Sequence, residues 1–470
     1  MPSSLTRTEH DLLGDREVPA DVYWGIHTLR AVENFPITGR TISSYPELIR
    51  AIALVKRAAA RANQKLGQLD DKRADVIMAA CKDIEAGKHH DQFVVDVIQG
   101  GAGTSTNMNA NEVIANLALE KLGHAKGEYD ELHPLNHVNM AQSTNDVYPT
   151  TLKLAIVFAI QDLLDAMSAL RDAFEAKANE FADVLKMGRT QLQDAVPMTL
   201  GQEFMTYAVM IAKDSTRLHE AIALIQEVNL GATAIGTGIN TDIRYAKLAT
   251  KLLSEFAGVR LVPAHNLIEA TQDTGSFVQL SGVLKRVACK LSKVCNDLRL
   301  LSSGPQAGLN EINLPERAAG SSIMPGKVNP IIPEVVNQIA FEVIGNDVTI
   351  TMASEGGQLQ LNAFEPIIGH SLFKSIEHLA AGCRTLTENC VKGITANREL
   401  LAERVRSSAG LATALNPHIG YQNATWVARE ALRSGRSVTE LVLEKGLMTR
   451  EELDKALRPD VLTAPRVSGD

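Results

Sequence analysis

Apolar residues recur at steps of three and four through the middle of the chain, which is the pattern of helices with one buried face. The clearest example is residues 152–185, which contain neither glycine nor proline and predict a helix about 50 Å long. A second long stretch without helix breakers follows at residues 202–229, and two more helical stretches lie at 281–303 and 334–345, of which the last continues toward residue 355. Long amphipathic helices joined by short loops predict a helical bundle.

The two ends of the chain carry shorter patterns. Before residue 142, helical patterns at 47–64, 72–86 and 111–122 alternate with loops rich in glycine and histidine. After residue 396, short helices and turns such as NPHIGY and EKGLMT follow one another. We therefore predict three domains: a mainly helical N-terminal domain (1–142), a central long-helix bundle (143–396) and a small helical C-terminal domain (397–470).

Composition agrees with an all-α fold. The chain has 470 residues, of which 45% are hydrophobic and 22% charged, as in ordinary globular proteins. Only 4% are aromatic, so the core must consist of Ala, Leu, Ile and Val, which favours closely packed helices.

Charge and cysteine content restrict the classes of binding partner and the cellular compartment that we expect. The 47 basic and 55 acidic residues give a net charge of −8, which disfavours nucleic acid as a partner. No basic run or 20-residue apolar stretch indicates a membrane. The five cysteines form no CxxC pair, and the first residues lack the apolar region of a secretory signal, so we expect a cytoplasmic protein.

Four polar segments stand out because each lies just before a helical pattern. They are GGAGTSTNMNANE (100–112), AQSTNDVYP (141–149), GRTQLQDAVPMTLGQEF (188–204) and GSSIMPGKVNPIIPE (320–334). Helix capping is the simplest interpretation of each segment alone.

Individual residues in three of the segments support the capping interpretation. The first segment should precede a helix around Val113. Thr199 and Gln202 have the spacing of a capping box, and Asn329 followed by Pro330 predicts an N-cap and a first helical residue.

Together, however, the segments hold more hydroxyl and amide groups than capping requires. Helix N-termini favour anions, and Lys327 adds a full positive charge, so a small dicarboxylate is a plausible ligand. Other motifs are absent: Gly326-Lys327 is followed by Val328 and is no P-loop, and there is no GxGxxG, HExxH or EF-hand pattern. We predict no metal site.

The segment GSSIMPGKVNP (320–330) resembles the signature of the fumarase/aspartase superfamily. The resemblance extends over nearly the whole chain through VPADVYWGIHTLRAVENFPI, NMNANEVIAN, QSTND, LQDAVP, ATAIGTG, NDLRLLSSGP and LNPHIGY. Within the superfamily the chain is more similar to aspartases than to fumarases, which have Thr in place of Val196 and His in place of Gln191. Adenylosuccinate and argininosuccinate lyases share only a looser Ser-Ser-x-Met-Pro pattern.

The resemblance implies an all-α, three-domain chain that forms a homotetramer around a bundle of the long central helices, with each active site built from segments of three chains. It implies the reversible elimination of ammonia from L-aspartate to give fumarate, through an aci-carboxylate intermediate. The family's chemistry needs no cofactor. Some aspartases respond to divalent cations such as Mg²⁺, and the sequence has no dedicated cation motif.

The resemblance also implies roles for ten residues with hydroxyl, amide or ammonium groups. They are Ser321 as general base; Thr104, Ser143, Thr144 and Ser322 on the β-carboxylate; Lys327 and Asn329 on the α-carboxylate; and Asn145, Thr190 and Gln191 on the amino group. Without the resemblance, the simplest interpretation of Ser321 is a loop hydroxyl that hydrogen-bonds its own backbone.

Gln191 separates the competing hypotheses. Expelling hydroxide requires an acid, and fumarases have a His–Glu pair for this purpose. The resemblance implies that the partner of Glu334 is Gln191 here, which cannot transfer a proton at neutral pH, whereas ammonium leaves already protonated. A fumarate hydratase and a non-catalytic helical-bundle protein remain the alternative hypotheses, and the retained polar signature residues argue against the second.

Overall fold

The computed structural model describes residues 5–463. This part of the chain is mainly helical, with α1 (Ile26–Asn34), α2 (Pro46–Lys65), α3 (Asp71–Glu85), α4 (Thr104–Leu122), α5 (Thr144–Glu180), α6 (Leu200–Ile225), α7 (Tyr245–Ala257), α8 (Leu267–Gln272), α9 (Gly275–Leu301), α10 (Ile331–Glu355), α11 (Glu365–Asn389), α12 (Arg398–Ser407), α13 (Gly410–Ile419), α14 (Tyr421–Ser434), α15 (Val438–Glu444), α16 (Arg450–Ala456) and α17 (Pro459–Leu462). None of the helices within residues 5–463 is both long and apolar enough to cross a membrane. The predicted all-α class is confirmed.

The strands form four two-stranded pairs. They are β1 (Thr6–Asp11) with β2 (Gly14–Pro19), β3 (Leu185–Thr190) with β4 (Gln193–Thr199), β5 (Glu227–Val228) with β6 (Val262–Pro263), and β7 (Ile312–Asn313) with β8 (Thr395–Ala396). Only the β5–β6 pair is parallel.

The four long helices expected from periodicity are present as α5, α6, α9 and α10, with ends shifted by several residues. The predicted end of the first, at residue 185, is wrong, because Leu185 begins β3. A fifth long helix, α11, was missed because Gly369 and Gly382 weaken its pattern. A Cβ on Gly369 would lie 2.7 Å from the Leu152 side chain, so glycine permits close packing there.

One further expectation needs correction. The helix α4 begins at Thr104, earlier than the predicted start near residue 111, because its asparagines are buried and bonded by the surrounding chain. Asn109, for example, donates to Gln92 O and accepts from Val94 N, both at 3.0 Å. Tertiary contacts thus satisfy side chains whose local preference favours turns.

The described residues divide into two compact units. Unit 1 contains residues 5–163, 216–286 and 341–378, and unit 2 contains residues 164–215, 287–340 and 379–463. The limits of the units fall inside α5, α6, α9, α10 and α11. The predicted domain boundaries at residues 142 and 396 stay a prediction.

In unit 1, α2 packs against α3 and α7. Its buried face is rich in alanine, which lets neighbouring helices approach closely, as the low aromatic content predicts. In unit 2, a cluster of aromatic rings is part of the core: Phe204 lies 6.0 Å from Phe174 and 5.4 Å from Phe181, measured between ring centroids. A second cluster in unit 2 joins the short C-terminal helices through residues such as Leu415 and Val427.

Candidate active site

The start of α5 presents three of the predicted site residues in unit 1. Ser143, Thr144 and Asn145 are half-buried. Their backbone is fixed by the buried Asp146, whose Oδ1 accepts from Ser143 N at 3.0 Å. The spacing of Ser143 and Asp146 therefore serves helix capping.

The hydroxyl of Thr144 is oriented by a neighbouring helix. Asn107, one turn into α4, donates to Thr144 Oγ1 at 3.0 Å. Because the oxygen already accepts this bond, the hydroxyl hydrogen is available to a ligand. Ser143 Oγ likewise accepts, from Asn145 N at 3.3 Å.

Thr104, also in unit 1, has the opposite arrangement. It is exposed at the first position of α4, and its hydroxyl donates to Gly101 O at 2.6 Å. The hydroxyl must leave this bond before it can donate to a carboxylate.

A buried lysine lies behind these residues. Lys56 is fully buried, and its ammonium donates to Asn139 Oδ1 and Gln142 Oε1, each at 2.9 Å. Asn139 Oδ1 also accepts from Asn107 Nδ2 at 3.2 Å, so the network reaches Thr144 through Asn107.

Burial shifts the pKa values of Lys56 and Asp146, the two charged groups beneath the start of α5. It lowers the pKa of Lys56 to about 7, against the opposing charge of Asp146. It raises the pKa of Asp146 to about 6, although three backbone N–H groups and Lys56 favour the ionised form. Removing a charge from water is unfavourable, and here the two opposite charges offset part of that effect.

Thr190 and Gln191 lie at the tip of the β3–β4 hairpin in unit 2. Thr190 pairs with Gln193, so Gln191 and Leu192 form a two-residue turn, with φ angles of 54° and 64°. Such a turn usually contains glycine or asparagine, and the absence of these residues explains why the hairpin was missed. Both predicted site residues are exposed there.

Buried charges anchor this hairpin. Arg189 on β3 forms an ion pair with the buried Glu311, and Lys186 Nζ lies 2.9 Å from Glu311 Oε2. Burial raises the pKa of Glu311, but the hydrogen bond from Arg189 and the charge of Lys186 bring it below its ordinary value. The strand next to Thr190 is therefore held by charged contacts. The predicted capping box follows β4, with Thr199 and Gln202 exchanging two bonds of 3.0 Å.

The signature segment is a loop between β7 and α10 in unit 2, and it carries the predicted base. Ser321 is half-buried, and its Oγ accepts from Ile323 N at 3.2 Å and Met324 N at 3.0 Å. Two N–H donors on one hydroxyl oxygen favour its deprotonated form. Ser322 and Lys327 are exposed on the same loop.

The ends of this loop are joined tightly. Asn329 Nδ2 donates to Gly320 O, and α10 begins at Ile331. The predicted N-cap role of Asn329 is therefore wrong: its amide closes the loop, and Pro330 precedes the first helical residue. A Cβ on Gly320 would lie 1.7 Å from Lys327 O, so only glycine fits.

The ten predicted residues thus form three groups. The start of α5 and the nearby α4 carry the four in unit 1, while the β3–β4 turn and the 320–329 loop carry the six in unit 2. Sequence reasoning missed Lys56 and its amide network. The available signal was a lysine four residues after Ile52, on the apolar face of a predicted helix. Across residues 5–463, no three His, Cys, Asp or Glu side chains cluster as metal ligands would.

The loop signature and the long helices agree with the family comparison. Residues 14–345 match the family described as Lyase, and residues 411–464 match the family described as Fumarase C C-terminus. The chain belongs to the fumarase/aspartase superfamily of lyases.

Individual proteins of this superfamily are similar to the chain over nearly its full length. An aspartate ammonia-lyase of Pseudomonas fluorescens is 60% identical over 462 residues, covering 98% of this chain and 97% of that protein. An aspartate ammonia-lyase of Helicobacter pylori strain J99 is 59% identical over 459 residues, covering 98% of both chains. The crystal structure of a fumarate lyase:delta crystallin from Brucella melitensis bound to cobalt has a TM-score of 0.94 at 54% identity, covering 97% of this chain and 99% of that one.

Proposed function

We propose that the protein is an ammonia-lyase that reversibly eliminates ammonia from L-aspartate to give fumarate. The observation that carries the proposal is the similarity, at 59–60% identity over nearly the full length, to proteins named aspartate ammonia-lyase. The hydrogen-bonding directions of the site residues support it, as follows.

The difficult step is removal of a proton from C3, beside a carboxylate that is already negative. Loss of this proton gives a dianionic aci-carboxylate, which hydrogen-bond donors held in fixed positions stabilise. Thr144 and Ser143 suit this role because their oxygens already accept bonds within the protein, leaving each hydroxyl hydrogen for the β-carboxylate. Thr104 and Ser322 complete the proposed donor set.

Ser321 is the proposed base. A serine hydroxyl is weakly acidic, so its alkoxide must be stabilised before it can take a proton. The N–H groups of Ile323 and Met324 point at Ser321 Oγ and provide part of that stabilisation. Lys327 on the same loop is the proposed charged partner of the α-carboxylate, together with Asn329.

The leaving amine needs acceptors rather than an acid, because it departs as ammonia from an ammonium group. The proposed acceptors are Asn145, Thr190 and Gln191. Gln191 cannot protonate a departing hydroxide, which disfavours hydration chemistry at the same site.

We further propose a cytoplasmic homotetramer in which each site takes segments from three chains. The predicted residues lie at the starts of α4 and α5, in the β3–β4 turn and in the 320–329 loop, which are far apart in the sequence, and this suits such an arrangement. A base and a set of donors are sufficient for this elimination, so we propose that the chemistry needs no cofactor. Assays with and without Mg²⁺ would measure any activation by a divalent cation.

The test is an absorbance assay for fumarate with purified protein. We expect fumarate from L-aspartate and little or none from L-malate. Equal rates on both substrates would contradict the role given to Gln191, and activity on L-malate alone would support the hydratase. No fumarate from either substrate, with a folded protein, would support the non-catalytic alternative.

A further inference from the structure

The start of α5 is bonded to the loop 229–234, which also lies in unit 1. The two N–H groups of Gly231 and Thr233 donate to Asp146 Oδ2, each at 3.0 Å. The other oxygen of the same carboxylate accepts from Ser143 N. Asp146 thus ties the loop to the backbone that carries the proposed substrate ligands.

The same loop determines which way Asn145 presents its amide. Asn145 Nδ2 donates to Ala234 O at 2.7 Å, and Asn229 Nδ2 donates to Asn145 O at 3.0 Å. A backbone carbonyl can only accept, so the amide nitrogen of Asn145 must face Ala234. Its Oδ1 is then the atom left to accept a bond from a ligand.

The backbone of the loop is strained next to this contact. Thr233 has a φ of 58°, which is rare for a β-branched residue. It is buried, and its hydroxyl finds no hydrogen-bond partner in the described part of the chain. Residues are held in such conformations only where the surrounding structure imposes them, and they concentrate at functional sites. Here the bond from Thr233 N to Asp146 holds the conformation that directs Ala234 O toward Asn145.

We infer that Asp146 and Thr233 are positioning residues that hold the oxygen of Asn145 toward the amino group of the substrate. The loop 229–234 thereby makes the site favour dicarboxylates that carry a protonated amine over dicarboxylates that lack one. This inference rests on the proposed function, because it assigns a specificity element to the same site. Both residues act through Asn145 and need no contact with the substrate.

The experiment compares a ligand with the amine and a ligand without it. The Asp146→Asn variant loses the carboxylate that accepts three N–H groups. We expect its KM for L-aspartate to rise about tenfold or more, the usual effect of losing a hydrogen bond to a charged group. Inhibition by succinate, which has both carboxylates and no amine, should weaken less than binding of L-aspartate, because among the carboxylate ligands only Ser143 is bonded directly to Asp146. The matched control is Thr250→Ala, because Thr250 is also buried with an unpartnered hydroxyl but lies in the regular helix α7.

A second variant covers the case in which Asp146→Asn does not fold. Thr233→Gly relieves the strained φ, so this variant should fold. Glycine no longer confines the backbone of the loop, so we expect a smaller rise in KM, about threefold, and again for L-aspartate rather than for succinate. Equal weakening of L-aspartate and succinate in the folded variants would overturn the inference, as would unchanged KM values. A wild-type protein that produces no fumarate from L-aspartate would instead overturn the proposed function, so the two failures are distinguishable.

Discussion

At the scale of single residues, the hydroxyl groups of the candidate site differ in the hydrogen bonds that they already make within the protein. Ser143 and Thr144 accept bonds and keep a hydrogen for a ligand, whereas Thr104 donates to its own loop. Ser321 accepts from two N–H groups of its own loop, which suits the base proposed for it. These directions depend on neighbours, since all four side chains have the same functional group.

The role of Ser321 predicts a distinctive kinetic result. Ser321→Ala should lower kcat by about 100-fold or more, because a base acts in the transition state, while binding of an unreactive dicarboxylate stays nearly normal. Ser322→Ala is the matched control and should affect both binding and turnover. Stopped assays for kcat and calorimetry with succinate measure the two effects. Near-normal turnover in Ser321→Ala would mean that another group is the base.

Burial of Lys56 predicts a pH-dependent stability. Its pKa falls from 10.5 in the unfolded chain to about 7, so the folded protein binds the proton more weakly. Above pH 10.5 Lys56 is neutral in both the folded and the unfolded chain, and the folded protein then has its full stability with respect to this residue. That stability is lost as the pH falls through the folded-state pKa of about 7. Denaturant unfolding should show that the wild type loses stability relative to Lys56→Met as the pH falls from 10 to 7. A constant difference over that range would contradict the burial of this charge.

At the scale of elements, the loop 320–329 combines a tight base with an exposed tip. Gly320 and Asn329 close its ends, while Ile323 is 83% exposed and Lys327 is solvent-accessible. A loop that is anchored at its base and uncovered at its tip is suited to moving over a bound ligand.

The tight base predicts that Gly320→Ala inactivates the protein without unfolding it. The new methyl group would overlap Lys327 O, so the loop must change its path and displace Ser321. We expect a severe loss of kcat/KM with a Tm close to that of the wild type, because the loop is largely exposed. Gly326→Ala is the comparison: its φ of 78° strains an alanine, but nothing lies within 4 Å, so its defect should be milder. Equal activity in both variants would refute this account of the loop.

At the scale of the whole molecule, the site residues lie on three segments that are far apart in the sequence, around residues 104–145, 190–191 and 321–329, which suits the proposed assembly of several chains. The proposed homotetramer should have a mass of about 203 kDa by light scattering, four times the 50.8 kDa of one chain. An active sample with the mass of one chain would rule out shared sites.

Shared sites also predict complementation. If Thr144 and Ser321 of one site come from different chains, co-expressed Thr144→Ala and Ser321→Ala chains should form some intact sites and recover measurable activity. Each variant expressed alone is the control. Activity no higher than that of the separate variants, in mixed tetramers, would contradict the sharing.

The sequence by itself determined the helical class, four of the five longest helices and the family, because amphipathic periodicity and the GSSIMPGKVNP signature are local in the chain. It also determined the capping box of Thr199 and Gln202, whose partners are three residues apart. Only the tertiary structure decided that α4 starts at Thr104, that Asn329 closes a loop, and that Lys56 is buried. Those outcomes depend on partners such as Gln92, Gly320 and Asn139, which lie between 9 and 83 residues away along the chain. Hydrogen bonding and burial between distant segments override local preference, so residue spacing alone could not reveal them.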